Sequence, residues 1–403
     1  MSDERCTTRR DLAFAAAIFA VAFVVRVAFL GSGDANWPHS LLYEGDAPVW
    51  ARWASALTHG EAFEFDLPFR TPGVAYLLSR LGLANSSAKL VWCALSAATC
   101  AATYLVAARW ISSRVAWIAA ALLVFSFGQY QLATSLNNEA PYGLLCVLIV
   151  AATLRWMRTP TVALSLALGV LNGLALLLRA EHGLAIAALA TFAVLARNKD
   201  DVALGRALAR TALSVLAAVA VCAPWALRSH AAVVRFNTVA PPLDYAHAEP
   251  PWTPAARAFL EQLPAFARAG NFAFAGALAR ERGATQVDEP DLRAFFEREW
   301  GYVPEPLETW TLVCSKGALD FALANHPDAR GGFSRAALRD GRDAEPEFAF
   351  ARPSHTKLYN HGYAIGWQWI RADFGAWCAA VGSKLARFAS GASLGFGARD
   401  FPF

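Results

Sequence analysis

Two long apolar runs, at residues 12–30 and 90–108, constrain this chain more than any other feature. A helix needs about 20 mostly apolar residues to cross the hydrocarbon core of a bilayer, and both runs are long enough. The further candidates for crossing helices are the apolar runs 115–132, 140–154, 161–178, 183–196 and 211–227, some of which need flanking residues. The composition, 56% hydrophobic and 17% charged, agrees with a membrane protein. We predict an all-α polytopic bundle of about seven spans.

The distribution of Lys and Arg predicts a cytoplasmic N-terminus, residues 1–11. Arg9 and Arg10 precede the first run, but the run lacks an A-x-A cleavage site before Gly31, which indicates a retained anchor. With the N-terminus inside, eleven basic residues fall on the inner side: Arg5, Arg9, Arg10, Arg109, Arg114, Arg155, Arg158, Arg197, Lys199, Arg206 and Arg210. The outer segments before Arg228 hold five: Arg52, Arg70, Arg80, Lys89 and Arg179. This bias is the positive-inside pattern of a plasma (inner) membrane protein.

The pattern divides the chain into a transmembrane bundle, 12–227, with an external loop at 31–71, and a C-terminal extracytoplasmic domain, 228–403. The second part has no apolar run long enough to cross a bilayer, and its helical periodicity at 291–300 and 367–388 predicts a mixed, mainly helical fold. The polar group His355, Lys357 and Tyr359 is interpreted as a solvated loop, with contact to an acceptor as the alternative. Scattered basic residues and a net charge of +4 argue against nucleic acid as a partner.

The external loop carries the most suggestive acids. Glu44 and Asp46 stand just before a segment with apolar residues at a period near 3.6, so a surface helix should start close to Asp46. The carboxylate of Asp46 then has two readings. It either caps the helix, or acts as a general base or ligand of a divalent cation. Aromatic residues of this loop could stack on a sugar or simply belong to an interfacial belt.

Five motifs in residues 10–235 resemble the GT-C superfamily of glycosyltransferases, which includes protein O-mannosyltransferases and lipid A aminoarabinose transferases. They are EGDAPVWA from Glu44, RTPG from Arg70, SLNNE ending at Glu139, LRAE from Leu178, and PWALR ending at Arg228. The order of the motifs and their shared outer-face placement carry the resemblance. Ala180 stands where the family commonly has proline, and the spans that follow the family's external domain are absent, which suggests a truncated or partial sequence.

The resemblance implies a GT-C-like bundle that moves a sugar from a polyprenyl-phosphate donor to a glycan, lipid or protein acceptor on the outer face, with inversion. Asp46 would be the base, with Glu44 beside it. The leaving phosphate needs cations, and Arg179 and Arg228 each follow an apolar run, although both could instead only snorkel to the interface. A divalent metal cation is a further expectation, with its ligands unknown.

Three other polar residues have open roles. Glu139 is either a second active-site carboxylate or an ordinary acid in the first turn of a helix. His182 is either a metal ligand or a structural histidine. Arg26, inside the first run, either snorkels outward or pairs with an acid such as Glu139.

Two alternatives from other classes stay open. A transporter or lipid flippase would also show apolar spans with a few charges, although no internal repeat is visible here. A noncatalytic membrane fragment is favoured by the absent later spans. The sequence identifies neither the donor sugar nor the acceptor.

Overall fold

The computed structural model describes residues 8–36, 47–60, 67–82, 85–196, 203–239, 253–265, 286–329, 334, 338 and 353–389. Most of these residues are helical, with no strand among them beyond an isolated bridge at Val287. The chain divides into two compact units. We call the first the bundle unit (Met1–Phe63, Thr71–Trp225 and Ser390–Phe403) and the second the tail unit (Glu64–Arg70 and Ala226–Ala389).

The bundle unit is built from helices that follow the apolar runs. They are α1 (Arg9–Asn36), α2 (Ala47–His59), α3 (Gly73–Leu81), α4 (Asn85–Trp110), α5 (Ser113–Val124), α6 (Phe127–Thr134), α7 (Glu139–Arg158), α8 (Val162–Leu178), α9 (His182–Leu195) and the first part of α10 (Leu204–Thr238).

Four of the described helices are long and apolar enough to cross a bilayer: Arg9–Gly31 of α1, Ser87–Trp110 of α4, α7 and α10. The pair α5 and α6 becomes a fifth candidate if the two are taken as one span, and α8 and α9 are shorter apolar helices. The structure therefore shows an all-α protein with candidate membrane spans. Of the seven predicted spans, the described residues thus form four that are long enough, or five with the bent pair.

The run 115–132 was predicted as one span, but it forms two helices. Ser113–Val124 and Gly128–Thr134 are bent by 56° relative to each other. The carbonyl of Leu123, in the last turn of α5, accepts a hydrogen bond of 3.3 Å from Arg26 Nη2. A side-chain donor of this kind satisfies a backbone group that a broken helix exposes in an apolar environment.

Contacts between helices define two ends of the bundle unit. At one end, Trp92 of α4 donates from Nε1 to the Asn137 carbonyl, just before α7, at 2.6 Å. At the other, Arg158 at the end of α7 lies over the Trp110 ring at the end of α4, 4.5 Å from its centroid. Helices α4 and α7 therefore run parallel. We call the end with Trp92 and Asn137 the motif end. We call the end with Trp110 and Arg158, where α1 and α5 also begin, the basic end.

Hydroxyl and carboxylate side chains fix the start of several helices. Ser112 accepts from the Val115 N–H before α5, and Thr161 accepts from the Leu164 N–H before α8, each at 3.2 Å. In the tail unit, Asp288 accepts from the Glu289 N–H at 2.9 Å and completes a capping box. Its bonds to Thr253 and to that N–H lower the pKa of the Asp288 carboxyl. Such residues satisfy the free N–H groups of a first helical turn.

The described part of the tail unit contains the end of α10 and five further helices: α11 (Pro254–Gln262), α12 (Glu289–Trp300), α13 (Lys316–Ala324), α14 (Pro353–Ala372) and α15 (Phe374–Ala389). Its core includes Val233, Phe259 and Leu292 together with Leu67 from the external loop. The Pro68 carbonyl, next in the loop, accepts from the Ser315 N–H at 2.8 Å. The end of the loop thus belongs to this unit, which the sequence pattern did not predict.

The segment 367–388 is helical, as its periodicity predicts. The chain breaks within it at Asp373, whose Oδ1 accepts from the Ala376 N–H at 2.8 Å and caps α15. One prediction for the tail needs correction. His355 and Tyr359 do not lie in a solvated loop, since both are buried on α14. Burial raises the pKa of Tyr359 to about 12.

Candidate functional site

Residues from separate sequence motifs meet at the motif end of the bundle unit. They surround one buried apolar group, which we call the motif cluster: Ala47, Trp50, Trp53, Val74, Leu78, Trp92, Leu136, Ala140, Leu178 and Trp225, with Ala54, Ala75 and Ala88. The cluster thus draws on the external loop, the SLNNE and LRAE motifs and the tryptophan of PWALR. Residues that are far apart in sequence share one packed core at this end.

The carbonyl of Leu178 joins three of these segments. It accepts a hydrogen bond of 2.7 Å from the Thr71 hydroxyl and one of 3.0 Å from Asn138 Nδ2. The carbonyl of Thr71 in turn accepts from Trp50 Nε1 at 3.0 Å. The last carbonyls of a helix lack partners within that helix. Here the RTPG and SLNNE motifs supply the donors for the end of α8.

Gly73 explains why the RTPG turn ends in glycine. A Cβ added to Gly73 would lie 2.6 Å from the Leu177 carbonyl oxygen and 2.9 Å from the Leu178 side chain. The first atom belongs to the backbone and cannot rotate away. Glycine therefore permits close approach of α3 to the end of α8.

The tryptophans of α2 are not available for sugar stacking. Trp50 and Trp53 are 3% and 4% exposed and pack inside the motif cluster, where the Trp53 ring lies 6.3 Å from that of Trp225. The stacking interpretation is therefore wrong for these two residues. Their rings form the core that fixes α2 to the bundle unit.

The predicted base, Asp46, and its neighbour Glu44 lie outside the described residues. The helix expected after Asp46 is present, because α2 begins at Ala47. Ala47 is fully buried in the motif cluster, next to the segments that contain Thr71 and Leu178. The residue that follows Asp46 in the sequence is thus anchored at the motif end.

Arg179 and Glu139 are brought together. Nη1 of Arg179 lies 3.7 Å from Oε1 of Glu139, and its Nε lies 3.9 Å from Oε2 of Glu181. The guanidinium carbon is 5.6 Å from the centroid of the Tyr142 ring, and the Arg179 side chain is 37% exposed. The predicted phosphate ligand therefore sits between two carboxylates and above an aromatic ring. Tyr142, three residues after Glu139 on α7, was not identified from the sequence.

Arg228 belongs to the tail unit, where it is partly buried near the middle of α10. The helix does not end there, as the PWALR motif suggested, but continues to Thr238. The apolar residues after Arg228 keep helical spacing, and Val233 is fully buried in the core of the tail unit.

His182 has the structural role. It is 2% exposed, and its Nε2 lies 2.8 Å from Oδ1 of Asn172, which can only accept. Nδ1 therefore accepts from the Tyr142 hydroxyl at 3.1 Å, in the neutral tautomer. Both ring nitrogens are engaged, which argues against the metal-ligand reading. His182 ties α9 to α7 and α8, and the side chain of Asn172 continues the chain of bonds to the Leu168 carbonyl at 2.8 Å.

Arg26 neither snorkels nor pairs with Glu139. Its side chain is fully buried, and Nε donates to the Ser96 hydroxyl at 2.7 Å. The two terminal nitrogens donate to the carbonyls of Ala22, at 3.0 Å, and Leu123. Nη2 also lies 3.4 Å from Cys100 Sγ. The guanidinium therefore holds α1, α4 and α5 together through neutral acceptors.

The described part of the chain contains no group of three or more His, Cys, Asp or Glu residues that could hold a metal ion. Glu44 and Asp46 lie outside that part, so the expectation of a divalent cation at the external loop stays a prediction.

No protein-family model, no curated protein and no solved structure matches this chain.

Proposed function

We propose that this chain is a membrane glycosyltransferase that moves a sugar from a polyprenyl-phosphate donor to an acceptor hydroxyl on the extracytoplasmic side. The observation that carries the proposal is the meeting of Thr71, Asn138 and Leu178, from three of the motifs, around one carbonyl. These bonds cap the last turn of α8, and they also bring three motifs to one place, as a shared ligand site requires.

In the proposed reaction, the carboxylate of Asp46 takes the proton of the acceptor hydroxyl. The acceptor oxygen then forms a bond to the anomeric carbon, while the bond from that carbon to the phosphate oxygen breaks. The electron pair leaves with the lipid phosphate, and attack from the opposite face inverts the anomeric centre. Charge develops on the leaving phosphate, so cations placed beside it accelerate the step. We assign that role to Arg179, with Glu44 tuning the base, and Arg228 stays a candidate from the sequence alone.

The surroundings of Arg179 suit a cation that exchanges partners. Its distances of 3.7 and 3.9 Å to the two carboxylates exceed the length of about 2.8 Å typical of a charge-assisted hydrogen bond. Ion pairs that are this loose and partly exposed contribute only about 0–1 kcal/mol. A phosphate can present two oxygens to one guanidinium. It can therefore displace Glu139 and Glu181 from Arg179 at little cost.

A transporter or flippase is the second candidate, and one observation favours it. Broken apolar helices are typical of transporter sites, and α5 and α6 form a bend of 56°. The polar group at that bend is Arg26, which binds the Leu123 carbonyl within the bundle. The two functions differ in chemistry, because a transporter leaves the bond between sugar and phosphate intact.

The test uses the full chain reconstituted in liposomes with polyprenyl-phosphate mannose or polyprenyl-phosphate aminoarabinose labelled in the sugar. We expect sugar-free polyprenyl phosphate to appear with one of these donors when a crude membrane extract supplies acceptors, and not with the Asp46→Asn variant. Movement of intact donor across the bilayer, without cleavage, would instead support the transporter. Circular dichroism of both proteins serves as the folding control.

A further inference from the structure

The bundle unit contains a cavity of about 460 Å³ at its basic end. The first turns of α1 and α5 and the last turns of α4 form its walls. Trp92 of the motif cluster and Trp110 at the basic end are 18 positions apart on α4, which corresponds to roughly 27 Å along a helix. The cavity is therefore separate from the motif end, and the proposed sugar transfer does not use it.

Aromatic rings form one wall of the cavity. The Phe14 and Trp117 ring centroids are 5.1 Å apart, and those of Tyr104 and Trp117 are 5.2 Å apart, both in edge-to-face contact. Tyr104 is 1% exposed, whereas Trp117 is 43% exposed and lies at the rim. Such a wall suits the apolar part of a ligand at the membrane interface.

Charged and hydroxyl groups also line the cavity. Arg10 and Arg109, from different helices, both line the cavity, and the Arg10 guanidinium carbon lies 5.2 Å from the Phe14 ring centroid. Asp11 also lines it, but its Oδ2 already accepts from the Thr8 N–H at 2.9 Å and the Thr8 hydroxyl at 2.7 Å. Among the described residues, two guanidinium groups and one carboxylate give the lining a formal charge of +1.

We propose that this cavity binds the phosphate of an anionic phospholipid head group, with the acyl chains leaving past Trp117. Its volume falls within the range of about 300–1,000 Å³ seen for ligand sites. Its lining is amphipathic, as a head group at the boundary of the hydrocarbon requires. Basic pockets between helices on the cytoplasmic side are suited to anionic head groups, and the predicted orientation places Arg10 and Arg109 on that side. The carboxylate of Asp11 disfavours ligands with more than one negative charge.

The test is lipid retention by the purified full chain, measured by native mass spectrometry from micelles with equal amounts of phosphatidylglycerol and phosphatidylcholine. We expect preferential retention of one phosphatidylglycerol. The double variant Arg10→Gln/Arg109→Gln should lose about tenfold or more of that retention, because it removes both charged donors. Arg155→Gln is the matched control, since Arg155 is exposed near the end of α7 at the same end and does not line the cavity. Asp11→Asn should increase retention, because it removes a carboxylate from the described lining.

Three outcomes would overturn the proposal. Equal retention of the two lipids excludes selection for an anionic head group, and an equal loss in Arg155→Gln reduces the effect to general surface charge. Displacement of phosphatidylglycerol by millimolar inorganic phosphate would assign the cavity to a soluble phosphate ester. Unchanged melting temperatures of the variants in neutral detergent exclude misfolding as the cause of a loss.

Discussion

Arg179 and Glu139 form an ion pair of 3.7 Å between the end of α8 and the first turn of α7. The end of a helix carries a partial negative charge and its start a partial positive charge, so each side chain also matches its own helix. The pair is therefore placed by two helices whose ends share the Leu178 carbonyl as a common anchor. This placement leaves a partly exposed cation at the motif end.

Arg179→Gln should raise the KM for the polyprenyl-phosphate donor about tenfold, because a neutral amide cannot replace a bidentate guanidinium on phosphate. Arg179→Lys should restore only part of the affinity. Arg80→Gln is the control, since Arg80 is exposed on α3 and lies outside the proposed site. Donor titration of the three variants in liposomes measures the effect, and an unchanged KM in Arg179→Gln would reduce Arg179 to a snorkelling residue.

Glu139→Gln separates the two readings of this acid. If Glu139 only pairs with Arg179, the substitution frees the guanidinium, lowers the KM for the donor and leaves kcat nearly unchanged. The stability loss should stay below about 1 kcal/mol, as for other partly exposed ion pairs. We expect this result. A fall in kcat of about 100-fold or more, at constant KM, would instead identify Glu139 as a second catalytic carboxylate.

Much of the bundle unit followed from the sequence because apolar runs in a membrane protein have few alternatives to a helix. The predicted runs 12–30, 90–108 and 161–178 correspond closely to α1, α4 and α8. The helix after Asp46 was also predicted, from periodicity. Of the site, the sequence predicted Arg179 and Glu139 separately, but not that they pair.

What the sequence could not predict depends on partners far along the chain. The break between α5 and α6 is accommodated by Arg26, about 100 positions earlier, whose role depends on packing rather than on local pattern. The external loop is divided between two units because Leu67 fits the core of the tail unit. His182 was ambiguous because Asn172 and Tyr142, which engage its two nitrogens, lie on other helices.

Gly73→Ala tests the close approach at the RTPG turn. The new Cβ would lie 2.6 Å from the Leu177 carbonyl oxygen, so α3 must move, and we expect a loss of roughly 1–3 kcal/mol in stability. Gly31→Ala is the control, because Gly31 lies on α1 and its new Cβ would have no atom of the described residues within 4 Å. Its stability should be unchanged or slightly higher, since alanine favours a helix more than glycine. Thermal unfolding in lipid nanodiscs compares the two. Equal melting temperatures would contradict the packing described for Gly73.

Ser96→Ala tests the buried site of Arg26. The substitution removes the hydroxyl that accepts the 2.7 Å hydrogen bond from Arg26 Nε. A buried charged donor then lacks its acceptor, which should lower the stability by about 1–3 kcal/mol. Thr103→Val, which removes a hydroxyl bonded only to its own helix at the Thr99 carbonyl, should have a much smaller effect. Chemical denaturation in detergent would show the difference, and similar losses in the two variants would argue against a special role for Ser96.

The most direct measurement of the central claim is sugar transfer by purified Asp46→Asn protein, with Glu44→Gln alongside. If Asp46 is the general base, loss of its charge should slow transfer by roughly 100-fold to 10,000-fold. Asparagine is as good a helix cap as aspartate, so expression and melting temperature should barely change. Glu44→Gln should lose less. Transfer by Asp46→Asn at the parental rate would make Asp46 at most a helix cap and would contradict the proposed mechanism.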